Sequence, residues 1–181
     1  MLLEQFNAAP AEKARELLKP CLDVDRWVEE ITAARPFAGL DALLETARTA
    51  AHPFTSAELE SALAHHPRIG ETPRAQSTEA AMSRREQAGV DHGDQGIAAA
   101  LAEGNRAYEE KFGRVFLIRA AGRSADEMLQ SLRERLGHTP EQEERVVAGQ
   151  LREIAVLRLE QSVAEQSAEP SHGGTFASKG A

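Results

Sequence analysis

Through most of the chain, apolar residues recur at every third or fourth position, and proline, glycine and small polar residues punctuate the runs. That spacing puts one apolar stripe on a helix, and it predicts about eight helices. The first opens near Pro10, carries Ala14, Leu17 and Leu18, and stops at Pro20; the second runs from about Asp23 through Trp27, Val28 and Ile31 to Arg35-Pro36. A third, LDALLETARTAA, ends before His52-Pro53, because the residue before a proline is pushed out of the helical region. Thr55 with Glu58 three positions on is a capping-box signature for a fourth helix, which ends near His65-His66-Pro67.

The pattern breaks at PRIGETPRAQ, residues 67–76, whose two prolines and one glycine read as a loop. A fifth helix follows from about Ser77 to Gly89, and a long sixth from about Asp91 or Asp94 to Phe112-Gly113. Glycine at these ends suits a left-handed C-terminal cap. Val115–Ile118 is a short apolar run expected to be buried, and its length fits a strand or an extended link equally well. Ser124 with Glu127 caps a seventh helix ended by Gly137, and Thr139-Pro140-Glu141-Gln142 opens a long eighth carrying Val147, Leu151, Ile154 and Leu159. The expectation is an all-α, single compact domain over residues 1–163. Residues 164–181, rich in Gly, Ser and Pro without apolar periodicity, read as a flexible C-terminal tail.

Composition supports the helical reading: alanine far outnumbers valine and isoleucine, and aromatics are only 4% of the chain, which disfavours an all-β protein. Lys and Arg number 21 against 29 Asp and Glu, a net charge of −8, so no diffuse basic surface exists to displace phosphate counterions and nucleic-acid binding is not expected. An anionic small ligand would need locally placed arginines. No apolar run approaches the roughly 20 residues of a membrane span, and MLLEQFNAAP lacks a basic start followed by an apolar stretch. With one cysteine, Cys21, there is no internal disulfide framework, and a cytoplasmic location is the expectation.

Several residues could carry chemistry. His66 stands where a helix ends and a proline turns the backbone away, either as a functional imidazole or as a side chain resting on helix C-terminal carbonyls. A zinc site from His65, His66 and Glu71 is disfavoured, since adjacent histidines project differently and no helical i, i+4 ligand pair accompanies them, so no metal is expected. Ser83, Glu86 and Gln87, at i, i+3 and i+4, present a hydroxyl, a carboxylate and an amide on one helical face, which suits a polar heterocycle but also an ordinary solvated face beside Arg84 and Arg85. Arg158 lies among Ile154, Leu157 and Leu159; its guanidinium either meets an acid or anionic ligand or snorkels to water. Cys21, Trp27 and Tyr108 read as core. Neither Gly-rich phosphate-binding motif is present, and no lysine sits in a setting that suggests pyridoxal chemistry.

Taken together, Phe6-Asn7, the Cys21 to Trp27 segment leading to Arg35-Pro36-Phe37, HPRIG from His66, SRREQAGV from Ser83, Asn105, Tyr108, KFGRVFLI from Lys111, Arg135-Leu136 and the closing EIAVLRL around Arg158 form an ordered series. Over about residues 4–160 it resembles the 2-oxo-4-hydroxy-4-carboxy-5-ureidoimidazoline (OHCU) decarboxylase family, which performs the last step from urate to (S)-allantoin. The resemblance implies an all-helical, cofactor-free enzyme, typically a homodimer, acting on a small anionic ureidoimidazoline. It puts the catalytic histidine at His66 with Pro67 beside the substrate, Glu86 as its partner in catalysis, Ser83, Gln87 and Arg158 as pocket groups, and Ile118 as a pocket-lining position whose backbone contacts the substrate. The chain departs from the family in having Pro20-Cys21 where a cysteine pair is common, and its last residues, SKGA, lack the peroxisomal signal of some relatives. Two other readings of the residues are a helical binding or interaction module without turnover, and a hydrolase of related ureides with His66 as general base.

Overall fold

The computed structural model describes residues 1–64, 66–69, 78–86 and 95–164. These fold into nine α-helices with no strand among the described residues: α1 (Leu3–Ala8), α2 (Ala11–Leu18), α3 (Asp25–Ala33), α4 (Leu40–Thr49), α5 (Ser56–Leu63), α6 (Thr78–Glu86), α7 (Gln95–Phe112), α8 (Ala125–Arg135) and α9 (Pro140–Ala164). Eight correspond to the helices expected from periodicity. The ninth, α1, has only six residues, and its start is held by Gln5 Oε1 accepting from Leu2 N–H at 3.0 Å, not by a side-chain cap on Leu2. Val115–Ile118 has no regular secondary structure and pairs with no strand among the described residues, and Phe116, Leu117 and Ile118 are buried.

The capping boxes form as the sequence indicates. Thr55 Oγ1 accepts from Glu58 N–H at 3.2 Å, and the Glu58 carboxylate accepts from Thr55 N–H at 2.7 Å. Ser124 with Glu127, and Thr139 with Gln142, repeat the arrangement at the starts of α8 and α9. Each box satisfies backbone donors that the first turn leaves unpaired.

Two apolar clusters divide the interior. The larger joins α1 to α5 with α9 around Phe6, Trp27, Ile31, Leu43, Leu151 and Leu159. Trp27 is wholly buried and donates from Nε1 to the Ala47 carbonyl at 2.9 Å, so its one polar atom is satisfied. The smaller cluster joins α7 and α8 to the 116–120 link and the segment after α5, through Ile69, Leu101, Tyr108, Phe116, Ile118 and Met128. Gly104 permits the close approach of α7 to α8, because a Cβ there would lie 2.5 Å from Leu132 Cδ2. Gly113 ends α7 in the left-handed region at φ 68°, the cap geometry foreseen for it. The long helix α9 packs on α4 and α5 and supplies a polar residue at each end, Glu143 early and Arg158 late. The sequence assigned to a tail, apart from Ala164 at the end of α9, lies outside the described residues.

Candidate active site

Arg158 is a nearly inaccessible charge, 1% exposed, carried by α9 on the side facing α6. Its Nε donates to Glu86 Oε1 at 2.6 Å and its Nη2 to Glu86 Oε2 at 3.0 Å, a two-point fit between a planar fork and a carboxylate. Nη2 also donates to Ser83 Oγ at 3.0 Å, leaving Nη1 without a hydrogen-bond partner among the described residues. The alternative of a snorkelling Arg158 therefore does not hold, and Glu86 is matched with Arg158 across the fold. Ser83 is 3% exposed, so the i, i+3 spacing on α6 does present a buried polar face. Gln87, the third member of that face, lies outside the described residues, as do His65 and Glu71.

The backbone of α9 behind Arg158 is held by Ser162, whose hydroxyl donates to the Arg158 carbonyl at 2.7 Å. Cys21 Sγ lies 3.9 Å from the same hydroxyl. Burial pushes the Cys21 thiol up to about 11, against the smaller opposing influences of Ser162 and the Arg158 charge, so the thiol stays protonated and behaves as the core residue expected. Tyr108 is likewise core.

His66 is half-buried just beyond α5, and its N–H donates to the Leu63 carbonyl at 3.0 Å, closing the helix's final turn. Pro67 is half-buried beside it, and Ile69 is buried in the smaller cluster together with Ile118. The described hydrogen bonds thus join Ser83, Glu86 and Arg158 directly, while His66 and Pro67 are tied to the Ile118 link through Ile69.

Two residues given no role by sequence reasoning fix the peptide planes on either side of Ile118. Arg135 Nη1 donates to the Leu117 carbonyl at 2.7 Å, and Gln150 Oε1 accepts from Arg119 N–H at 2.9 Å. Because each peptide unit is planar, these anchors also set the directions of Ile118's own N–H and C=O. Arg135, 4% exposed, is held by Glu143, 1% exposed, through Nε at 2.8 Å and Nη2 at 2.5 Å. The Tyr108 hydroxyl also donates to the Glu143 carboxylate, and His138 Nδ1 lies 2.8 Å from Glu143 Oε2. The signal for Arg135 was present in the sequence, since it shares the helical face of Met128 and Leu132.

Comparison with known proteins gives this arrangement a context. The sequence profile described as OHCU decarboxylase matches residues 7–160. A 2-oxo-4-hydroxy-4-carboxy-5-ureidoimidazoline decarboxylase of Amia calva is 32% identical over 132 residues, covering 72% of this chain and 75% of that protein. Its namesake in Halalkalicoccus jeotgali is 24% identical over 162 residues, covering 89% of this chain and 91% of that one. A crystal structure of OHCU decarboxylase in the presence of (S)-allantoin superposes with a TM-score of 0.67 at 25% identity, over 86% of this chain and 99% of that chain. The class these matches define is a helical decarboxylase, a lyase of urate degradation. The chain belongs to the OHCU decarboxylase family.

Proposed function

We propose that this chain converts 2-oxo-4-hydroxy-4-carboxy-5-ureidoimidazoline to (S)-allantoin without a cofactor, with His66 as general acid/base, Glu86 assisting it, and Pro67, Ser83, Gln87, Ile118 and Arg158 around the substrate. The observation that carries the reading is the buried Arg158–Glu86–Ser83 cluster, with its bidentate contact of 2.6 and 3.0 Å, in a chain of this family. A buried ion pair with a further polar neighbour is costly unless it has a task, and recognition of a small polar anion is such a task.

The substrate supplies its own electron sink. When the bond to the carboxylate breaks and CO2 leaves, the bonding pair passes to the adjacent imine nitrogen, which takes up a proton. The resulting enol loses its hydroxyl proton as the neighbouring ureido-bearing carbon accepts one, and that last proton fixes the handedness of the product. The protein must hold the carboxylate out of the ring plane and deliver the proton to one face. Histidine, with an ordinary pKa of about 6.5, can take and give a proton near neutrality. Glu86 orients the substrate's hydroxyl or ureido N–H groups, and Arg158 offers its remaining N–H donors to an oxygen.

Residues 1–163 carry this activity, and the protein works as a cytoplasmic homodimer without nucleic acid. The net charge of −8 argues against nucleic acid, and no described helix is long and apolar enough to cross a membrane. The test is to supply product freshly made by urate oxidase and hydroxyisourate hydrolase, with and without chelator, and follow CO2 release and optical activity. Fast CO2 release with (S)-allantoin in both arms is the expected result. Racemic product at the uncatalysed rate would refute the reading, and chelator-sensitive turnover would refute its cofactor-free form.

A further inference from the structure

The two residues after His66 and Pro67 are both gripped by one face of α7. Arg68 Nε donates to Glu109 Oε1 at 2.5 Å and its Nη2 to Glu109 Oε2 at 2.7 Å, while Asn105 Nδ2 donates to the Ile69 carbonyl at 3.0 Å. Asn105 and Glu109 are four residues apart, so they stand one above the other on the helix. We propose that Asn105 and Glu109 are positioning residues for the decarboxylation, a two-point clamp from α7 that sets the place of the His66 imidazole; this rests on the reading of His66 as the acid/base.

Three observations support the clamp. First, His66 is already fixed upstream by its N–H on the Leu63 carbonyl, and Pro67 restricts the backbone immediately after it. A grip on residues 68 and 69 therefore leaves little freedom to the residue between these anchors. Second, Asn105 is 3% exposed, and its Oδ1 is a buried acceptor without a hydrogen-bond partner among the described residues. An apolar side chain of similar volume would lack that unsatisfied oxygen but would also leave the Ile69 carbonyl without its donor, so packing alone does not account for an asparagine here. The amide donor aimed at the Ile69 carbonyl does. Third, the Arg68–Glu109 pair is bidentate yet partly exposed, at 44% and 24%, a geometry that fixes direction more than it adds stability.

Proton delivery is sensitive to such placement, since a displacement of about 1 Å at a reacting group can cost on the order of 10²-fold in rate. The test uses the full chain well below its melting temperature, with kcat, KM and allantoin handedness measured for Asn105→Leu and Glu109→Ala. The expected result is a fall in kcat per folded protein on the order of 10- to 10²-fold, KM nearly unchanged, and a lower (S) excess as solvent increasingly delivers the proton. Added to His66→Asn, Asn105→Leu should cause no further loss, because the clamp acts through the imidazole. Should Asn105→Leu fail to fold, Glu109→Ala decides, its pair being near the surface. Folded variants with wild-type kcat and (S)-selectivity, or losses that add in full to that of His66→Asn, would overturn the clamp while leaving the role of His66 intact. Rapid (S)-selective turnover by His66→Asn itself would instead overturn the reading beneath it.

Discussion

Arg158 and Glu86 face each other fork to fork, Nε to Oε1 at 2.6 Å and Nη2 to Oε2 at 3.0 Å, although 72 residues separate them in the chain. The pair joins α9 to α6 and buries both charges, the arginine at 1% exposure and the carboxylate at 12%. Such a contact is worth little net stability when intact, but removing one partner leaves the other charged and desolvated.

Glu86→Gln should therefore lower stability by on the order of 3 kcal/mol and also reduce kcat/KM. Arg158→Lys keeps the charge but loses the planar fork, so turnover should fall while the helical circular-dichroism signal persists. Denaturant melts and steady-state kinetics on both variants check this, and wild-type catalytic efficiency in either would remove that residue from the pocket.

How much of this was legible in the sequence depended on the range of the interaction involved. Thr55–Glu58, Ser124–Glu127 and Thr139–Gln142 were readable because each box is closed within four residues. Helix α1 was not, because six residues are too few to show a period. The polar face of α6 was visible as spacing, and Arg158 stood out in an apolar run, but nothing local says that the two meet. Glu143 was hidden for a different reason. In the acidic first turn of α9 it looks like a complement to the helix dipole, and only the docking of α7 and α8 takes it out of water while Glu141 stays exposed.

That burial makes Glu143 the counter-charge on which Arg135 depends. Glu143→Leu should cost about 3–5 kcal/mol, because Arg135 would remain buried and uncompensated. Replacing Arg135 with Met in the same chain should recover much of the stability, as apolar substitutes for whole buried ion pairs often do. Turnover should not recover with it, since the Leu117 carbonyl would have lost its donor and the Ile118 peptides their orientation. Matched melting curves and kcat values separate the two effects, and an active, stable double variant would show that Arg135 serves packing alone.

Acid should weaken the joint between α3 and α5. The Arg26 guanidinium, with further help from the backbone and hydroxyl of Thr55, holds the Glu58 carboxyl down at about 2, against 4.5 for an ordinary glutamate. A carboxyl depressed in the folded state adds stability that is complete above its unfolded pKa and is lost as pH falls through the folded value. The melting-temperature gap between wild type and Glu58→Gln should thus be full above about pH 4.5 and close as pH falls toward 2. A gap that stays constant over that range would mean that the Arg26 contact contributes nothing through charge.

His66 decides the mechanism, and its two roles predict different outcomes for one substitution. If the side chain only rests at the end of α5, His66→Asn keeps polar contacts, and the change should be about 1 kcal/mol or less in stability with activity largely kept. If it delivers the proton, asparagine cannot titrate, and the loss of general acid–base catalysis should be on the order of 10²- to 10⁴-fold in rate. His65→Asn is the control, and it should be mild because the family-like motif begins at the second histidine. Handedness must be read beside rate, since spontaneous decay of the substrate gives racemic allantoin and a slow variant would show that background. A folded His66→Asn protein that still releases CO2 quickly and yields (S)-allantoin would make Glu86, whose carboxylate is in contact with Arg158, the next candidate for carrying the proton.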